Sequence, residues 1–164
     1  MAITFTNHNK VVSDGFRTIL RNEFTATVGS PNIEIILSDK FESERLGTKG
    51  EYIRYWIEDT PLVSLVANGE NRNYIIGLYY YLDAGKKQTQ RDWETLISDR
   101  VEHIRQLLSN NIFYASSGVS VWHELKIDIG KPMTVNDSDN LDVKGYENVK
   151  VIKLTITITR GNFS

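Results

Sequence analysis

Three places in the chain carry residue types that do chemistry elsewhere. His123-Glu124 invites comparison with the zinc-protease helix, in which two histidines four residues apart share one face, but Ile127 stands where the second histidine is needed. The surrounding residues also alternate as a strand, which sends neighbouring side chains to opposite faces. Asp137, Asp139 and Asp142 resemble the opening of a calcium loop, yet Leu141 replaces a ligand, Asp142 occupies the glycine position, and Asn148 stands in for the closing glutamate. His8 and His103 fall on the polar sides of two different helical patterns with no third ligand at metal spacing. There is no G-x-S-x-G, no phosphate-cradling glycine loop and no dinucleotide fingerprint. The sequence therefore predicts neither a catalytic set, nor a metal, nor a cofactor.

Composition narrows the remaining classes. The 164 residues fit one domain long enough to bury a real core, with 40% hydrophobic and 24% charged residues. Nineteen basic and 21 acidic residues leave a net charge of −2 with no basic patch, which removes the main support for binding duplex nucleic acid through phosphates. With no cysteine there is no disulfide, thiolate nucleophile or cysteine metal site. No apolar run approaches the ~18 residues of a membrane span, and the opening MAITFTNHNK has no apolar signal core, so a protein made in the cytosol is expected.

The elements that must position any site follow from periodicity. From Thr89 to Asn110, Trp93, Leu96, Ile97, Val101, Ile104, Leu107 and Leu108 recur at three- and four-residue steps, predicting a helix about 30 Å long with one apolar stripe. A second helix is predicted from Asn7 through Phe24, capped by Asn7 or Asn9 and ending near Gly29-Ser30-Pro31, with Gly15 as a mild internal cost. Ile33–Leu37 is a short strand, and from Glu51 Ile53, Tyr55 and Ile57 alternate with Tyr52, Arg54 and Trp56. Leu62–Ala67 continues as strand, Asn68-Gly69 turns with Glu70, Asn71 and Arg72 extending the turn, and Asn73–Asp83 returns as a strand apolar on both faces. After a loop over 111–118, residues 119–129 form one alternating strand and Val149–Arg160 closes the chain with Ile152, Leu154, Ile156 and Ile158 on one face.

The result is a single α+β domain, an antiparallel sheet with helices packed mainly on one face, and mobile loops at about 39–51 and 134–148. The second loop sets four acidic residues against the single Lys144. Contact residues are expected at Phe41, Arg45 and Leu46 in the first loop, at Tyr79 and Tyr81 on the two-faced strand, and at Asp137, Asp139, Asp142 and Tyr146 in the acidic arm. Tyr79–Tyr81 could alternatively wall a ligand pocket.

The order of these elements resembles the tail-terminator, or tail-completion, proteins of long-tailed bacteriophages. The likeness is carried by the helix Asn7–Phe24, the IEIIL strand, the succession YIIGLYYYLD to WETLISDRVEHIRQLL, and the closing WHELKIDIG and VIKLTITITR strands. It implies a six-membered ring at the tail–neck junction of the virion, which caps the tail tube, stops its growth and offers a surface to the neck or head-closure protein while DNA passes through unbound. It implies no catalytic residues. Another neck component, such as a head-closure or connector-adaptor protein, fits the same size and role, and a small ligand-binding or hydrolytic domain is the remaining class.

Overall fold

The computed structural model describes residues 5–24, 33–40, 50–83, 90–134 and 149–163. Helix α1 spans His8–Phe24, and Asn7 caps it by accepting the Lys10 N–H on its side-chain oxygen at 3.0 Å. Its stripe of Val12, Phe16, Ile19, Leu20 and Phe24 is buried. Helix α2 spans Gln90–Ser109 and buries Ile97, Val101, Ile104 and Leu108, the stripe its spacing predicts. The strands are β1 (Glu34–Leu37), β2 (Glu51–Asp59), β3 (Leu62–Val66), β4 (Gly69–Asp83), β5 (Tyr114–Ser116), β6 (Val119–Trp122), β7 (Glu124–Ile129), β8 (Met133–Thr134) and β9 (Val149–Phe163).

Seven described strands make one sheet in the order β1-β2-β4-β9-β7, with β3 also on β4 and β8 also on β9, while β5 and β6 form a separate hairpin. Its spine is β4 against β9, paired without interruption from Gly69↔Phe163 to Asp83↔Val149. The α+β class is as expected, with one departure at the edge, where β1 runs parallel to β2. A parallel neighbour requires a crossover rather than a hairpin.

Alternation sorts the sheet into two faces. Ile53, Tyr55, Tyr74, Ile76, Leu78, Tyr80, Leu82, Ile152, Leu154, Ile156 and Ile158 join one core cluster with both helices. Tyr55 fastens α1 by donating its hydroxyl to the Ser13 carbonyl at 3.0 Å, with the Phe16 ring 5.2 Å away. His103 joins α2 to α1, its ring edge-on to Phe24 at 5.0 Å and Nε2 2.6 Å from Glu23.

Four local expectations are corrected. Glu70, Asn71 and Arg72 belong to β4 rather than to a turn, because β3 and β9 pair them from both sides and Arg72 is held by Glu70 and the Thr60 carbonyl. The turn is made by Asn68 in the left-handed region, φ 66°. Residues 111–118 contain β5, which turns through Ser117 and Gly118, both at positive φ, into β6. The strand predicted over 119–129 breaks at an exposed His123, so that Trp122 and Val121 turn under α1. Gly15 is the reason they fit: a Cβ there would sit 3.1 Å from Val121, 3.2 Å from Trp122 and 3.2 Å from Tyr114. Finally, β9 continues past Arg160 to Phe163, alongside the extra residues of β4.

Candidate assembly face

On the face of the sheet away from the helices, the alternate residues of β2 present Tyr52, Arg54, Trp56 and Glu58. Register sets Tyr52 opposite Tyr81, Arg54 opposite Tyr79 and Trp56 opposite Gly77. The Tyr52 and Tyr81 rings stack at 4.7 Å and 12°, and Trp56 reaches diagonally to stack on Tyr79 at 4.9 Å and 5°. The Arg54 guanidinium lies over three rings, 4.9 Å from Trp56, 4.6 Å from Tyr79 and 5.2 Å from Tyr81. A guanidinium is weakly hydrated and planar, so aromatic faces hold it where an ammonium would be lost to water. It also donates Nε–H to the Tyr81 hydroxyl and Nη1–H to the Asp39 carbonyl at 2.8 Å. Arg54 is consequently 2% exposed without being an uncompensated buried charge.

Gly77 completes the face by leaving a slot. The Glu58 carboxylate fills it, its Oε1 only 2.3 Å from where a Cβ would lie, and takes Lys153 Nζ at 2.8 Å from β9. Lys153 in turn lies 5.4 Å from the Tyr79 ring. Ile36, Val149 and Val151 pack with Tyr52 and Tyr81, and this second cluster contains no residue of either described helix. The face is thus an ordered aromatic plate, fully buried at Tyr52 and Tyr81 and partly open at Trp56 and Tyr79.

Of the residues expected to make contacts, Tyr79 and Tyr81 share this face, but Tyr81 is already buried within the chain and leaves only Tyr79 accessible. Phe41, Arg45, Leu46, Asp137, Asp139, Asp142 and Tyr146 lie outside the described residues, as do most of the two loops that hold them. Arg54, Trp56, Glu58, Gly77 and Lys153 were not singled out from sequence. The period-two pattern of β2 places Arg54 and Trp56 on one face, but nothing local says that Tyr79 is their neighbour. His123 and Glu124 are separated in role, the first exposed at a bend and the second paired with Lys126 at 3.2 Å. Among the described residues no three histidine or carboxylate side chains converge as a metal site.

A groove of about 610 Å³ lies elsewhere, between α2 and the β7–β9 side of the sheet, floored by Ile97, Val101, Ile129, Pro132 and Ile152. Trp93 lines it, with Lys150 Nζ 5.3 Å from its ring. No protein-family model and no curated protein sequence matches the chain. Among the described residues, no helix is long and apolar enough to cross a membrane.

Proposed function

We propose that this protein is a structural subunit of a bacteriophage tail, a terminator that closes into a ring of about six copies at the end of the tail tube. The observation that carries the reading is the sheet with large side chains on both faces, one under two helices and the other an aromatic plate with no described helix over it. A ring needs two different complementary patches on each subunit, and the Trp56–Tyr79 end of the plate is a flat aromatic surface of the kind found at the centre of protein contacts. The succession of elements supports the terminator in particular, and a slightly negative subunit suits a channel through which DNA slides without being held. Its partners are then further copies of itself, the tail-tube protein and the neck or head-closure protein. Another neck component is the runner-up and differs only in which of these it touches.

Light scattering on the purified chain, alone and with tail tubes, tests the proposal. The expected result is a ring for the wild type and a folded protein that no longer closes into a ring for Tyr79→Asp. Wild type that fails to form a ring at high concentration, even with tubes present, overturns it.

A further inference from the structure

Strand β3 is short and bulged at Val63, two devices by which natural sheets protect their edges, but it lacks the third, an edge charge. It pairs with β4 on one side, and among the described residues no strand pairs with the other. Its sequence is Leu62-Val63-Ser64-Leu65-Val66, uncharged throughout, with Leu62 47%, Val63 53%, Leu65 75% and Val66 40% exposed. An edge of this kind offers unpaired N–H and C=O groups beside apolar side chains, which is a template for another strand. The opposite edge of the sheet is built differently. There β7 interleaves Glu124, Lys126 and Asp128, and two of these pair with each other.

We propose that β3 is a self-association edge, which pairs antiparallel with β3 of a second copy about a two-fold axis through Ser64. The sequence pattern selects this occupant over a foreign strand. An isologous contact requires a segment that is complementary to itself read backwards. From either end β3 reads apolar, apolar, small, apolar, apolar, so Val63 meets Leu65 of the other copy, Leu62 meets Val66, and Ser64 meets itself. The strand itself carries no charge, and Glu70 and Arg72 on the neighbouring β4 are paired with each other at 2.5 Å. Val63 is the extra residue of a bulge between Leu62 and Ser64, and Ser64–Val66 keep regular register with β4. At the other end of the arm Phe163, 64% exposed beside Gly69, extends the apolar surface. This contact is distinct from the Trp56–Tyr79 plate.

The chain has no cysteine, so single substitutions report on the contact directly. Residues directly opposite across an antiparallel pair have Cβ atoms about 5 Å apart, close enough for a disulfide after a small adjustment. Ser64→Cys is expected to cross-link into covalent dimers under mild oxidation at least about tenfold faster than Lys126→Cys, an exposed control on the other edge. Leu65→Lys, at a side chain that touches little else, is expected to halve the native mass while leaving the thermal midpoint unchanged. Tyr79→Asp is expected to leave the Ser64→Cys cross-link intact, which separates failure of the ring from failure of this edge. Cross-linking of Ser64→Cys no faster than the control, or a mass unchanged by Leu65→Lys, overturns the proposal. So does hydrogen-exchange protection of β3 that appears only after another protein is added, which would assign the edge to a foreign strand.

Discussion

Glu51 on β2 and Arg100 on α2 meet at the boundary between sheet and helix, with Arg100 donating from Nε at 3.2 Å and Nη2 at 3.3 Å, while the Tyr80 hydroxyl donates to the same carboxylate. The long helix is thereby tied to the two strands that carry the aromatic plate on their other side. Removing the carboxylate strands both a guanidinium and a buried phenol. Glu51→Ala is expected to cost about 2 kcal/mol in denaturant unfolding, and Glu51→Gln clearly less, because an amide oxygen still accepts from one partner. Equal losses would show that the contact is not what holds α2.

Tyr80 supplies a pH dependence. Burial first, and the Glu51 charge second, push its phenol far above the usual 10.0. The folded chain then holds that proton after the unfolded chain has released it, so stability falls as pH rises beyond about 10. Tyr80→Phe is expected to flatten the alkaline slope in thermal melts recorded against pH.

His8 acts at the other end of the scale. Burial, then the charge of Arg160, lower its pKa from 6.5, and its buried Nδ1 has no hydrogen-bond partner among the described residues. A histidine depressed on folding binds fewer protons in the native state, so stability declines as pH falls below about 6.5 and is unaffected above it. His8→Gln is expected to weaken this acid-side decline, as followed by helical circular dichroism.

Two glycines on β4 should respond oppositely to the same substitution. At Gly77 an added methyl meets the end of the flexible Glu58 side chain, which can swing away, so Gly77→Ala should stay within about 1 kcal/mol of wild type while freeing Lys153. At Gly69 the methyl would lie 2.4 Å from the Asn162 carbonyl oxygen, which is backbone and cannot yield alone. Gly69→Ala is expected to cost about 2 kcal/mol or more and to loosen the Gly69↔Phe163 end of the sheet.

Gly15 faces Trp122 with contacts that are tight but carried by side chains. Gly15→Ala gains about 1 kcal/mol of helix propensity against slight crowding and should be near neutral. Gly15→Leu overfills the site and is expected to cost about 2 kcal/mol, seen as a lower urea midpoint.

What the sequence determined by itself is whatever local periodicity encodes. The stripes of α1 and α2, the alternation of β2 and β9, the Asn7 cap and the apolar character of both faces of β4 depend on spacings of two to four residues, and each appears where its pattern places it. The boundaries that shifted are those set by distant partners. Polar Glu70, Asn71 and Arg72 are strand because β9, some ninety residues later, pairs with them, and the break at His123 follows from the space left for Trp122 beneath Gly15. The aromatic plate is of the same kind. Tyr79 and Tyr81 were visible as residues, but only the β2–β4 register stacks them against Trp56 and Tyr52, and only that stacking lets Arg54 be buried and Tyr81 be covered by its own chain. Register is a relation between segments, and no single segment contains it.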